Sequence, residues 1–274
     1  MARSARVFLV LWVGTLALTA AAPAQQMGST QALRAKQEQL LALTNEARAQ
    51  AGVAPVKWDP ALAAAAMKHC IRMAAEGPIG HQYPGEPDLS ERAGLAGAHF
   101  SLIEENVAVG AYPAQIQQGW LNSPGHRRNM LSPDVDTVGI AVVASGEVLY
   151  AVADFEKAVP ERNAAQVEAT VAALIRANGI TVRNNPVDAR AACAMDHGVP
   201  RSLSGPEPGF IMRWQDADMG QLPPALVSRL HTREFTQASV GSCPAQNGQG
   251  SFTVYRVAVM LYGASAGRDV RGAY

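Results

Sequence analysis

Trp120–Leu131 reads WLNSPGHRRNML, and its punctuation is that of a helix being restarted. Ser123-Pro124 sets an N-cap residue type before a proline at the first helical position, where a missing N–H costs nothing. Gly125–Leu131 then supplies one or two turns, with His126 in the first. A helix N-terminus carries partial positive charge, which disfavours imidazolium and predicts a neutral His126. A neutral imidazole ligates a metal or accepts a proton; the cation does neither. Glu105, followed by Asn106, lies 21 residues upstream, and His81 a further 24 before it. Two histidines and a glutamate form a candidate set for a divalent metal or for acid–base work.

Downstream, Val138–Val143 and Val148–Phe155 are apolar, β-branched runs joined by Ser145-Gly146, which predicts an antiparallel hairpin. Upstream, residues 32–51 place Leu33, Leu40, Leu41, Leu43, Thr44 and Ala47 on one helical face, stopped by Gly52. Asp59-Pro60 restarts a second helix, with Leu62, Ala65, Ala66, His69, Cys70 and Met73 as its inner stripe. His69 on that stripe reads as a packed core histidine in preference to a ligand. Gly77-Pro78 ends this helix. A loop over Gly80–Gly97 carries His81, Glu86, Asp88, Glu91 and Arg92, and such loops are where sites tend to lie. Ile103–Val109 is a short apolar run around Glu104, Glu105 and Asn106, and Pro113–Leu121 reads as helix. Helices around a small antiparallel sheet give an α/β layered domain.

The chain has 274 residues, and its 23 Lys+Arg balance its 23 Asp+Glu, so nothing marks it for a polyanion. Nucleic-acid binding is not expected. Arg3 and Arg6, the apolar run Val7–Leu18 and Ala22-Pro23-Ala24 form the pattern of a cleaved signal peptide over residues 1–24. The expected product is secreted or periplasmic, with no membrane span after cleavage. Of the three cysteines, Cys193 and Cys243 share the C-terminal part and are the expected disulfide, leaving Cys70 as a small buried apolar residue. The alternative is three buried free thiols.

Beyond a linker at Val159-Pro160-Glu161, residues 163–263 read as a smaller α+β domain. Asn163 caps a helix with Val167, Val171, Leu174 and Ile175 on one face, stopped by Gly179. Helices over Pro186–Asp196 and Pro224–Thr232 and strands over Gly209–Trp214, Ser239–Cys243 and Ser251–Tyr262 follow. ALIRANGITVRNNPVDARAACAMDH echoes NEARAQAGVAPVKWDPALAAAAMKHC in its helix, glycine stop, proline restart and alanine-rich helix. That echo suggests a degenerate copy of the first domain, an idea that a different strand order would end. The copy lacks a Glu-Asn pair and a Ser-Pro-Gly-His segment; His197 and His231 sit in no matching motif.

Leu41, Asn45, Arg48, Gly52, Trp58-Asp59, Leu62, His81, Glu105-Asn106, Trp120, Gly125-His126 and Val138-Gly139, in that order, resemble a CAP domain. This is the SCP/PR-1/antigen 5 superfamily, here similar to its bacterial branch with the SPGHR signature. The resemblance covers about residues 37–157, within a domain placed at 32–157. It implies an α–β–α sandwich with a central cleft holding two histidines and two acidic residues. The histidines, able to hold zinc or another divalent ion in some members, are by position His81 and His126; the first acid is Glu105. At the second acidic position this chain has Ser123, which the local reading uses as an N-cap. Asp136 and Glu86 are the carboxylates that could arrive from elsewhere.

Two functions compete on these residues. The first is an exported, non-catalytic binding module whose His/Glu cleft holds a divalent metal such as zinc, with a ligand, lipid or protein as partner. The second is a hydrolase, peptidase- or esterase-like, using His126 and Glu105. No G-x-S-x-G or Cys–His–Asn arrangement supports the second.

Overall fold

The computed structural model describes residues 22–245 and 251–263, with side chains from residue 30 onward. Most of the expected leader, residues 1–24, lies outside the described residues. Helix α1 (Ala22–Gln50) starts well before residue 32, running through Gly28, Ser29 and Thr30 although their helix propensity is low. Its C-terminal end is clamped by side chains. Asn45 and Val56 exchange bonds (Nδ2 to the carbonyl, 3.0 Å; amide to Oδ1, 2.8 Å). The buried Arg48 guanidinium donates to the carbonyls of Ala54, Met130, Ser132 and Val135.

Strand β1 (Lys57–Trp58) leads into α2 (Pro60–Glu76), which Asp59 caps by accepting from the Leu62 amide at 2.8 Å. The predicted stripe of Leu62, Ala65, Ala66, His69, Cys70 and Met73 is the buried face of α2. The expected loop over 80–97 is only partly a loop: Asp88 caps a further helix, α3 (Leu89–Leu95). Asp88 and Glu91 stand at N-cap and N3 spacing, so the signal was in the sequence. Strand β2 (Phe100–Gly110), α4 (Pro113–Asn122), α5 (Pro124–Leu131), β3 (Thr137–Ser145) and β4 (Val148–Ala158) complete the first half. Ser123 does occupy the N-cap of α5, but its side chain makes no capping bond, so the hydroxyl role assigned from sequence is corrected.

The first sheet runs β1-β3-β4-β2, with β1 parallel to β3 and the other pairs antiparallel. Ile140, Val142, Ala153 and Phe155 face Leu40, Trp120 and Met130 of α1, α4 and α5. Ala141, Val152 and Val107 face Ala66, Cys70 and Met73 of α2. The period-two alternation thus feeds two cores, giving the α–β–α sandwich. Gly139 is required where α2 crosses the sheet, since a Cβ there would lie 2.1 Å from the Ala63 amide nitrogen.

The second half contains α6 (Ala164–Ala177), β5 (Thr181–Val182), α7 (Val187–Cys193), β6 (Phe210–Asp216), α8 (Pro224–Leu230), β7 (Phe235–Cys243) and β8 (Tyr255–Gly263). Its sheet runs β5-β7-β8-β6, again with the first pair parallel and the others antiparallel. Helix α7 covers one face, and α6 with α8 the other. Gly241 stands against α7 as Gly139 stands against α2, its Cβ position 2.2 Å from the Arg190 amide nitrogen. Strand order, orientation and glycine contact all match, as the repeat reading requires. One helix, α8, stands where the first half has α4 and α5. Cys193 and Cys243 form the expected disulfide, and Cys70 is free and buried.

Candidate functional site

The site gathers on the α2-facing side of β2 and β4. Glu105 of β2 lies in register with Asp154 of β4, so two carboxyls stand side by side in the sandwich. Glu105 is buried and has a partner on each oxygen. His81 Nδ1 meets Oε1 at 2.9 Å, and the Arg92 guanidinium donates to Oε2 at 2.5 Å. Arg92 comes from α3 and also donates to the carbonyls of His81 (3.2 Å) and Pro87 (3.3 Å). One buried cation thus holds the glutamate and the backbone of the first histidine together.

His69 is fully buried, as the packed-core reading expects, yet it belongs to the same cluster. Its Nδ1 meets Glu86 Oε1 at 2.8 Å, its Nε2 meets the Gly80 carbonyl at 2.9 Å, and Glu105 Oε2 lies 3.8 Å away. Both ring nitrogens thus face oxygen atoms, one of a carboxyl and one of a backbone carbonyl. Glu86 therefore does reach the site, through His69. It also accepts the Tyr83 amide at 3.0 Å, which folds the loop around the pair.

Asp154 is the residue that sequence reading missed. It is wholly buried, and neither oxygen has a hydrogen-bond partner. Burial first, and then the charge of Glu105, push its pKa well above the usual carboxylate range, with Arg92 opposing. The signal was an aspartate inside an otherwise apolar strand run. Cys70 sits nearby, its thiol pushed up to about 12, chiefly by burial.

His126 lies in the first turn of α5, as expected, held by its backbone: Asn106 Nδ2 donates to its carbonyl at 2.9 Å. Asn129 Nδ2 donates to Asn106 Oδ1 and to the Glu105 carbonyl, both at 3.1 Å. Asn106 and Asn129 thereby lock α5 onto β2. The His81 and His126 rings stand 6.0 Å apart, centroid to centroid, tilted by 53°. Their affinities for protons diverge. The hydrogen bond to Glu105 raises the pKa of His81, while burial and then the neighbouring His81 lower that of His126. The shift runs in the direction read from sequence, but its leading cause is desolvation rather than the helix terminus.

The other carboxylate proposed from sequence is elsewhere. Asp136 bonds Lys157 Nζ (2.7 Å) and the Ala158 amide (2.9 Å) at the end of the hairpin. Ser123 supplies no acid. In the second half His231 Nε2 meets Asn178 Oδ1 at 3.2 Å, outside any such cluster. Among the described residues, no three His, Cys, Asp or Glu side chains are placed to share one ion. No helix among them is long and apolar enough to cross a membrane.

Comparison with known proteins finds a family match over part of the chain. The family model for CAP, the cysteine-rich secretory protein family, matches residues 41–155. The uncharacterized protein YkwD of Bacillus subtilis is 30% identical over 118 residues, which cover 42% of this chain and 45% of YkwD. The match thus spans less than half the length of that relative. Among solved structures, an extracellular SCP-domain protein from Bacillus anthracis is 27% identical with a TM-score of 0.43, covering 47% of this chain and 42% of that one. An outer surface protein from Borrelia burgdorferi is 22% identical with a TM-score of 0.42, covering 45% of this chain and 92% of that one. With the sandwich and the family match in agreement, residues 41–155 are a CAP domain of the cysteine-rich secretory protein family.

Proposed function

We propose that this CAP domain is an exported, non-catalytic binding module whose cleft holds a divalent cation such as zinc between His81 and His126. The observation that carries the reading is the His81–Glu105 bond at 2.9 Å beside the His126 ring. A carboxylate on Nδ1 orients the imidazole and leaves Nε2 as the ligating nitrogen, the arrangement found behind metal-bound histidines. The lowered pKa of His126 keeps the second imidazole unprotonated and able to ligate. Two protein ligands leave positions open, and groups of a ligand, lipid or protein partner would fill them. The ion would supply charge to bind an oxygen or nitrogen donor. Export rests on the leader pattern at residues 1–24.

The hydrolase reading asks Glu105 to take a proton. Both of its oxygens already accept bonds, from Arg92 and His81, which suits an orienting role better than a basic one. Calorimetric titration of the full chain with zinc should show uptake that the His81→Ala/His126→Ala double variant loses. No uptake by the wild type, or equal affinity in the double variant, would sink the site.

A further inference from the structure

The residues just before β8 pack against the first half of the chain. The Thr253 amide donates to the Phe100 carbonyl at 2.8 Å, at the start of edge strand β2 of the first sheet. The Phe252 ring meets Phe100 edge-on, centroids 5.1 Å apart, and packs on a cluster of Leu62, Ala93, Ala98 and Phe100. Ser251 lies so close to α3 that a Cβ on Gly94 would sit 2.3 Å from its own Cβ. Further along, the Tyr255 hydroxyl donates to the Pro160 carbonyl at 2.5 Å and accepts the Arg162 amide at 3.0 Å. The segment is thereby held against the first half at one end and against the linker region at the other.

Helix α3 has seven residues and an internal glycine, too few turns and too poor a propensity to hold itself. Its order comes from packing: Ala93 and Gly94 meet the 251–253 segment, and Arg92 reaches the opposite way. Arg92 is the guanidinium bonded to Glu105 and to the His81 carbonyl. A displacement of α3 therefore moves the group that fixes both the carboxylate and the first histidine. We infer that Ser251-Phe252-Thr253 is a positioning strap, through which the C-terminal half sets the geometry of the His81–Glu105–His126 cleft. This inference rests on the cation-site reading for its functional meaning but not for its geometry.

The full chain tests it with Phe252→Ala and Gly94→Ala, with Phe252→Leu as the conservative replacement and Phe235→Ala, a partly buried side chain packed on the core of the second half, as a control. Two readouts apply: zinc affinity by calorimetry, and the imidazole NMR signals of His81 and His126 at fixed pH without metal. Phe252→Ala and Gly94→Ala should weaken zinc binding by about tenfold, the scale of losses behind metal ligands, and shift both sets of signals. Phe252→Leu should restore most of each, and Phe235→Ala should move neither. Wild-type signals and affinity in Phe252→Ala and Gly94→Ala would overturn the strap. If Phe252→Ala does not fold, Gly94→Ala alone decides between the two outcomes. Shifted imidazole signals with no zinc uptake by any protein would keep the strap and remove the cation reading.

Discussion

With Gly139 and Gly241 aligned, Glu105 opposite Asp154 in the first sheet corresponds to Arg213 opposite Ala258 in the second. The sheets, their edge order and the helix crossing are the same, so the difference isolates what the architecture needs. It needs apolar alternation on both faces and a glycine under the crossing helix. It does not need a buried cluster of carboxyls, guanidinium and imidazoles, because the second sheet stands without one. Buried charges are a poor way to gain stability. Among the described residues the second half buries charges at Asp188 and Arg256, but not in a cluster with imidazoles, and that joined cluster marks the first sheet as the one built around a site.

The largest test of this contrast is to remove the guanidinium from each half. Arg92→Ala leaves Glu105 buried beside Asp154 with no cation, and breaking a buried pair this way costs about 3–5 kcal/mol. Arg213 is less buried and donates to the Ala192 and Gly198 carbonyls, at 2.6 and 2.5 Å. Arg213→Ala should cost about 1–2 kcal/mol, the value of bonds from a charged group less what water replaces. Urea unfolding of both variants measures the gap. Equal losses would mean that the first cluster is ordinary scaffolding.

The next test asks whether the halves use the same crossing. Gly139→Ala and Gly241→Ala each drive a Cβ into helix backbone rather than into a flexible side chain. Each should cost about 1–3 kcal/mol as overpacking. Hydrogen exchange should show the loss concentrated in α2 and β3 for the first and in α7 and β7 for the second. A loss from either substitution spread evenly over both halves would break the correspondence.

The sequence carried the glycine stops, the Asp59-Pro60 restart, the hairpin at Ser145-Gly146 and the stripe of α2, because each is a local pattern. It also paired Cys193 with Cys243 by placing both in one domain. What it did not carry depends on register. Nothing near Asp154 in the chain says that β2 will set Glu105 opposite it. The loop over 80–97 hid α3, although Asp88 and Glu91 announce a cap, and with α3 went the role of Arg92. Ser123 shows the reverse error: its position predicts a capping hydroxyl, and tertiary packing gives the N-cap without the side-chain bond.

The smallest effect sharpens the comparison by pH. Glu156 lies two residues beyond Asp154 on β4, and its counterpart in the second sheet is Met260. Its carboxyl is buried, with Oε2 unpartnered and Oε1 accepting a 3.3 Å bond from Thr137. Burial, followed by the charge of Asp59, pushes its pKa up to about 7. Below the ordinary range for a glutamate the group is protonated in both folded and unfolded chains. Between that range and about 7 only the folded chain keeps the proton, so its contribution to stability falls as pH rises through this window and levels off above it. Glu156→Gln keeps the shape and an acceptor for Thr137 but has no charge to bury. Its unfolding free energy should match the wild type near pH 4 and exceed it increasingly up to about pH 7.5. Met260→Leu, at the same register of the other sheet, should show no such trend. A Glu156→Gln advantage that stays constant across the range would place the cause in packing and not in the buried charge.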